Sequence, residues 1–291
     1  MASGYTTTSA VADSLPEWIM AARQVREFAG VIPQLVDRQT LGQGLGNTWQ
    51  EVSFAQLSAQ SVTETTVLEN YQQAADTNLA ITPTVVGIAV LVTDRVAQRI
   101  AKVAYGKIGS LAQNAIERKK DEDGISALDG ATTSLCGAGS TLTSGHIAAA
   151  SSRIRGNATE PGSDPIRCVL HPYQIKDLFD ELVAGVGTYA VAEGPTAKVF
   201  QQGYKLPIDN TEIYPDGNIT IDSSADAKGG VFSQMGLILV QGRAPWTKDE
   251  YKPGIGGGAT IVYHYDEYAY GERSAGNWLY EIYSDATVPT S

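Results

Sequence analysis

The sequence is poor in residues that form disulfides or bind metals. Only two cysteines and three histidines occur among 291 residues, and His146, His171 and His264 are far apart along the chain. Two cysteines cannot build a disulfide framework or a cysteine-based zinc site within one chain. We therefore expect Cys136 and Cys168 to be reduced structural residues, the histidines to be hydrogen-bonded or solvated, and the chain to hold no metal and no cofactor.

Motifs typical of enzymes are also missing. The chain contains no Gly-x-Ser-x-Gly sequence and no Gly-Lys-Ser/Thr phosphate loop, and its glycine clusters lack the strand, helix and acidic residue of a dinucleotide site. The adjacent acids Asp266 and Glu267 point to opposite faces of a strand and cannot act together as acid and base. Because no set of acid, base, nucleophile and oxyanion donors can be assembled, we predict that the chain is not an enzyme.

Long apolar runs and an excess of basic charge are absent as well. No apolar run approaches the ~18 residues needed to cross a bilayer, and the first residues lack the basic start and apolar stretch of a signal peptide. These features predict folding in a cytoplasm without membrane contact. With 21 basic and 32 acidic side chains the net charge is -11, which argues against a protein that grips phosphate backbones.

The charges that are present fall into blocks. Residues 39–94 contain acidic side chains but no lysine or arginine, whereas residues 95–120 carry seven basic side chains and a single glutamate. Nucleic-acid binding is one role for such a basic stretch, but it lacks interleaved aromatic residues. We favour salt bridges between the acidic and the basic block, within one chain or between chains.

Apolar periodicity outlines a mixed α and β protein. A polar arm with a short amphipathic helix at 16–28 ends in a glycine hinge, and the strands 48–57 and 80–92 enclose a polar stretch too poor in apolar residues to form a core. That stretch predicts an extended hairpin. The longest helix is predicted at 94–120, where apolar residues recur at steps of three and four and the terminal charges match the helix dipole.

The second half of the chain alternates strands, turns and helices. The patterns predict helices at 146–154 and 172–183, strands at 165–170, 211–214, 219–222 and 236–241, and a terminal β-hairpin formed by 259–270 and 277–283. The hairpin is rich in tyrosine and tryptophan, which fits sheet packing better than a sugar-binding face.

The order of these parts resembles the major capsid proteins of tailed bacteriophages, which have the Hong Kong 97-type fold. The resemblance rests on the arm, the acidic hairpin and five stretches of local sequence: TPTVVGIAVLVTD, LDGATTS, HIAAASSRI, PIRCVLHPYQIKDLFDEL and NWLYEIYSDAT. It extends from about Leu41 to the end of the chain.

The resemblance implies a domain organisation and an assembly. It implies an α+β fold with an N-terminal arm at 1–46, an E-loop at 47–83, a discontinuous peripheral domain at 84–164 and 242–291 with a spine helix at about 94–120, and an axial domain at 165–241. Subunits of this family form hexamers and pentamers of an icosahedral phage head around packaged double-stranded DNA. The expected contacts between subunits are Trp18, Trp49, Glu51, Phe54, Glu64, Glu69, Arg95, Arg99, Lys102 and Lys107.

Two departures from the family refine these expectations. Some relatives crosslink their shells through an E-loop lysine, but residues 47–83 contain none. Some relatives begin with a scaffolding segment of roughly a hundred residues, longer than the arm seen here. We therefore expect a separate scaffolding protein, or earlier processing of the chain. A portal and in some cases decoration proteins are further expected partners. Two alternatives stay open: an encapsulin-type nanocompartment shell, and a β-rich binding module of a phage tail or a cell surface.

Overall fold

A computed structural model describes most of the chain. The described residues are 28, 30–44, 46–65, 71–94, 102–186, 207–255, 257–274 and 276–290, without the side chains of 102–108 and 182–186. The helix predicted at 16–28 lies outside this part of the chain, except for Phe28. The chain divides into two compact units: Val86–Glu117 and Pro245–Asp266 belong to the first, and Ala29–Val85, Arg118–Ala244 and Glu267–Ser291 form the second.

The described residues form helices and strands in nearly the predicted order. The helices are α1 (Ile32–Leu35), α2 (Lys102–Asp129), α3 (Ser144–Arg155) and α4 (Pro172–Val186). The strands are β1 (Asp37–Thr40), β2 (Trp49–Phe54), β3 (Asp76–Ile81), β4 (Thr84–Thr93), β5 (Ser134–Cys136), β6 (Ile166–Leu170), β7 (Thr211–Pro215), β8 (Asp226–Ser233), β9 (Leu237–Lys252), β10 (Ala259–Glu272) and β11 (Leu279–Asp285).

A five-stranded sheet and two helices form the main core of the second unit. The strand order is β5-β11-β8-β6-β7, and β8 is antiparallel to both of its neighbours. Helix α3 packs on this sheet because its apolar residues Ile147, Ala150 and Ile154 recur on one face and are fully buried. Leu178 of α4 joins the same core.

Helix α2 ends nine residues later than the sequence predicted. We expected the end at Lys120, at the basic cluster, but the helix continues to Asp129. The charges that suggested an end instead form pairs one turn apart, Arg118 with Glu122 and Lys119 with Asp123. The helix continues through Gly124. A β-carbon there would lie 2.6 Å from Ile32 Cγ2, so only glycine leaves room for α1.

The strand predicted at 80–92 is two strands. Strand β3 pairs with β2 in a separate two-stranded sheet, whereas β4 lies at the edge of a four-stranded sheet of order β1-β9-β10-β4. Pro83 lies between β3 and β4, and its nitrogen cannot donate to either ladder. The apolar run predicted as one strand therefore contributes to two different sheets.

The predicted terminal β-hairpin is wrong, although both of its strands exist. Strand β10 belongs to the four-stranded sheet, and β11 lies between β5 and β8 in the five-stranded sheet. Four consecutive residues of β11, from Leu279 to Ile282, are buried, as in a strand covered on both faces. The strand predicted at 219–222 is also wrong, because that region forms only an isolated bridge between Ile221 and Ala227.

The sequence missed strand β8, which is central to the core. Its residues DAKGGVFS have little β-propensity, yet seven of the eight are buried. The two glycines explain this, because a β-carbon on Gly229 would lie 2.3 Å from the carbonyl oxygen of Val169. Glycine is needed for β6 and β8 to pair at this position.

Candidate interaction surfaces

The acidic hairpin, residues 47–83, is an antiparallel pair of strands, as the sequence predicted. Trp49 is opposite Ile81 at its root, and Phe54 is opposite Asp76 at the far end of the ladder. Beyond the ladder, the amide of Ala55 donates to the carbonyl of Ala75, at 2.9 Å. Two strands without a covering layer have too little packing to be independently stable. The hairpin therefore needs another surface on which to lie.

The described residues of the hairpin expose large apolar side chains. Phe54 is 75% exposed and Tyr71 is 89% exposed, and Val52, Leu57 and Val62 are exposed as well. Scattered apolar residues are common on protein surfaces, but five on one segment leave it with an uncovered apolar face. Val52 and Phe54, two residues apart on β2, share one side of the strand. The acids Glu51, Glu64 and Asp76 lie on the same hairpin, so its surface is both apolar and negative.

The root of the hairpin is fixed within the second unit. Trp49 and Leu79 pack against the buried cluster of Ile81, Ile238 and Val240. This packing explains why the ladder begins where it does, since its first pair is also its most buried.

A buried arginine adds an electrostatic contact at the same place. The guanidinium of Arg273 lies 2.7 Å from a carboxylate oxygen of Glu51 on β2 and 2.7 Å from one of Asp37 on β1. The base of the hairpin is thus held by a cation. Beyond the far end of the ladder, the side-chain amide of Gln56 also donates to the carbonyl of Thr159, while the apolar residues of the hairpin stay exposed.

The structure gives the predicted contact residues different environments. Trp49 is half-buried in the hairpin root, and Glu51 is bound by Arg273 of its own chain. Phe54 and Glu64 are exposed. Four candidates lie outside the described residues, namely Trp18, Glu69, Arg95 and Arg99. Lys102 and Lys107 belong to α2, but only their backbone is among the described parts of the structure. The pairing of the acidic and basic blocks stays a prediction.

The first unit carries an aromatic surface that the sequence only partly indicated. On β10 the rings of Tyr263 and Tyr265 are parallel, with centroids 6.0 Å apart, and Trp246 of β9 stacks on Tyr265 at 5.3 Å. A β-carbon on Gly87 would lie 2.5 Å from the ring of Tyr265, so this ring lies directly on β4. The tyrosine alternation predicted sheet packing, but nothing in the spacing identified Trp246 as the third ring.

The histidines and cysteines have structural surroundings. His146 closes a capping box at the start of α3, because its Nδ1 accepts a hydrogen bond from the amide of Thr143, at 3.2 Å. Burial lowers the pKa of His171, whose Nδ1 accepts from the amide of Tyr173. Burial raises the pKa of the thiols of Cys136 and Cys168. Within the described residues no three acidic, histidine or cysteine side chains converge as metal ligands.

Among the described residues, none of the helices combines the length and the apolar character of a membrane span.

The chain resembles known proteins in its structure but not in its sequence. No family model matches the chain, and no curated protein does. Among solved structures, the capsid of cyanophage P-SCSP1u matches with a TM-score of 0.68 at 13% identity, over 92% of each chain. The head of Helicobacter pylori bacteriophage KHP40 matches with a TM-score of 0.69 at 12% identity, over 91% of this chain and 93% of the other.

A third match extends over almost the entire chain. The capsid of cyanophage Pam1 aligns with 99% of this chain and 100% of its own, with a TM-score of 0.70 and 11% identity. Such low identities establish the fold only. The chain therefore has the mixed α and β fold of phage capsid proteins.

Proposed function

We propose that the chain is a major capsid protein. Its copies would assemble as hexamers and pentamers into an icosahedral phage head that encloses double-stranded DNA, with a structural and non-enzymatic role. The observation that carries the proposal is the capsid fold, which extends over 91–99% of the chain in three phage capsid or head structures.

The acidic hairpin supplies an independent physical argument. Beyond its root, the strands of the hairpin are mostly exposed among the described residues, and Phe54 and Tyr71 are 75% and 89% exposed. Ordering such a segment costs conformational entropy that a single chain does not recover. In a closed shell every copy gives its hairpin to one neighbour and receives another, so that many weak contacts add up.

The family labels are part of this proposal. Residues 1–46 would form the N-terminal arm and 47–83 the E-loop, with the peripheral domain at 84–164 and 242–291 and the axial domain at 165–241. The E-loop would lie against the basic block of an adjacent subunit, which includes Arg95, Arg99, Lys102 and Lys107. Trp18, Glu64 and Glu69 are further proposed contacts.

The partners and location follow from the same proposal. A separate scaffolding protein and a portal would guide assembly in the cytoplasm of the host bacterium, and decoration proteins are further candidate partners. The mature protein would lie in the virion shell. A net charge of -11 is compatible with a shell that encloses DNA without binding it tightly.

Negative-stain electron microscopy paired with size-exclusion chromatography tests the proposal. The chain is expressed alone and then with neighbouring proteins from its genome, and we expect closed shells or rings of five and six subunits. Shells that enclose a protein cargo recruited by a short peptide would instead identify an encapsulin-type compartment. A strictly monomeric protein under every salt and partner condition would contradict the proposal and favour the β-rich binding module.

A further inference from the structure

Two aspartates are buried where α1 meets the long helix. Asp121 of α2 is 0% exposed, and Asp216, which follows β7, is 1% exposed. One oxygen of Asp121 accepts a hydrogen bond from the amide of Ile32 at 3.0 Å, and the other accepts from the side-chain amide of Asn218 at 2.8 Å. Asp216 accepts from the backbone amide of Asn218 at 2.9 Å, and the backbone amide of Val31 lies next to it and lowers its pKa.

The two carboxyl groups are neighbours in this site. Both accept from Asn218, Asp216 from its backbone amide and Asp121 from its side chain, and Oδ2 of Asp216 is buried without a hydrogen-bond partner among the described residues. Two carboxylates in contact cannot both be ionised in a buried site. A proton on Oδ2 of Asp216 supplies the missing hydrogen bond, with Asp121 as its acceptor. Burial, reinforced by the charge of Asp121, raises the pKa of Asp216 to about 7.

The chain between Gly30 and Ile32 lies directly on this pair. A β-carbon on Gly30 would lie 2.5 Å from Cβ of Asp121, so the backbone crosses the aspartate without room for a side chain. Ile32 is fully buried next to it. The amide of Ile32 donates to Asp121, and the amide of Val31 lies next to Asp216. Residues 30–36 lie within the arm predicted at 1–46, so the pair fastens this part of the predicted arm to α2.

The other charged groups near the pair have partners of their own. Lys120 donates to Gln241 at 2.6 Å, and Asp123 accepts from the hydroxyl of Tyr268 at 2.8 Å. Arg38 donates to the carbonyl of Pro33. The phenol of Tyr270 is buried near Asp121, and burial raises its pKa, so it stays neutral. The aspartate pair is therefore the group here that changes charge near neutral pH.

We propose that Asp121 and Asp216 form a proton-operated latch for residues 30–36. One shared proton holds the segment on α2, and loss of this proton loosens the segment. The proposal concerns the single chain and does not depend on the proposed shell function.

The sign of the pH effect follows from the two states of the latch. The closed state binds the proton up to a pH of about 7, whereas an open, hydrated aspartate has an ordinary pKa of about 4. Between these values only the closed state is protonated, so lower pH favours closure. The opening equilibrium should rise about tenfold for each pH unit up to about pH 7 and then level off.

Hydrogen exchange at the amides of Val31 and Ile32 tests the latch in the full chain. Protection factors, corrected for the pH dependence of intrinsic exchange, are measured at pH 5, 6, 7 and 8. We expect protection to fall about tenfold per unit from pH 5 to 7 and to change little above. In Asp216→Asn the carboxamide donates the same hydrogen bond without titrating, so its protection should be independent of pH.

Two further variants complete the test. Asp180→Asn removes one surface carboxylate that pairs with Lys176 on α4, and should keep the wild-type profile. If Asp216→Asn does not fold, Asp121→Asn is measured instead, because it also removes the shared proton. Protection that is flat with pH in the wild-type chain, or a slope that survives in both aspartate variants, would overturn the latch. Shell formation has a separate readout in electron microscopy, so the two proposals fail separately.

Discussion

Arg273 and Glu51 form a half-buried ion pair in which the Nη2 and Oε2 atoms are 2.7 Å apart. The arginine side chain is only 10% exposed, and it also contacts Asp37 at 2.7 Å. Its guanidinium lies 5.9 Å from the ring of Trp49. One cation thus joins β1, β2 and the chain after β10. The sequence predicted Glu51 as a contact to a neighbouring subunit, but this carboxylate already has a partner within its own chain.

Arg273→Ala should loosen the hairpin root. The change leaves two carboxylates close together without their cation, and breaking a buried pair typically costs ~3–5 kcal/mol. Glu51 is 39% exposed, so solvent screening reduces the effect, and we expect a loss of about 2 kcal/mol in the free energy of unfolding. Urea unfolding of the unassembled chain measures this, and hydrogen exchange should rise at residues 49–54.

Lys176→Ala is the matched control for that change. It also removes one cation from an ion pair, but Lys176 and Asp180 are four residues apart on a helix surface. Such pairs contribute at most ~0.5 kcal/mol. An Arg273→Ala effect no larger than that of Lys176→Ala would contradict a structural role for the half-buried pair.

Gly229→Ala should disrupt the central sheet. The added β-carbon would lie 2.3 Å from the carbonyl oxygen of Val169, and backbone on a neighbouring strand cannot move aside cheaply. We expect a loss of at least ~2 kcal/mol. Gly109→Ala is the control, because nothing lies within 4 Å of its β-carbon position in α2, and alanine favours helix by ~1 kcal/mol. Thermal melts should therefore shift in opposite directions.

The sequence predicted well those elements whose pattern of apolar residues is determined by packing on a single core. Helix α3 and strand β6 have strong apolar periodicity and lie within a few residues of their predicted positions. The hairpin of β2 and β3 was predicted from a lack of apolar residues, and its ladder confirms that prediction.

Failures occurred where a distant partner decides the structure. Strand β8 contains Gly229 and Gly230, which weaken a strand by local propensity but allow β6 and β11 to approach closely. Strands β10 and β11 were paired because they are adjacent in sequence, although each is completed by strands from elsewhere. The Asp121 and Asp216 pair joins residues 95 positions apart, and no local signal indicated it.

Charge reversal should report on the pairing between the acidic hairpin and the basic block. If the two surfaces meet across subunits, Arg99→Glu together with Lys102→Glu should lower the yield of particles and change their sensitivity to salt. Glu64→Lys with Glu69→Lys should do the same, because it cancels the net negative charge of the hairpin. Particle yield is measured by sedimentation at several salt concentrations.

The combined variant separates pairing from general damage. When all four substitutions are present, the opposite charges face each other again, and at least part of the yield should return. A combined yield as low as the product of the two separate losses means that the surfaces do not meet. Unchanged particle yield and salt sensitivity in the variant with both Arg99→Glu and Lys102→Glu would also mean that the two surfaces do not meet.

Phe54→Ser should impair assembly while leaving the single chain intact. This ring is 75% exposed, so its removal should change the free energy of unfolding by less than ~0.5 kcal/mol. If the ring is buried against a neighbour in the shell, each contact loses ~1.5–3 kcal/mol, which raises the concentration needed for assembly at least tenfold. Val288→Ser is the matched control, an apolar residue 60% exposed near the C-terminus and outside the hairpin. Equal assembly by both variants would show that the uncovered apolar face of the hairpin has no role in subunit contacts.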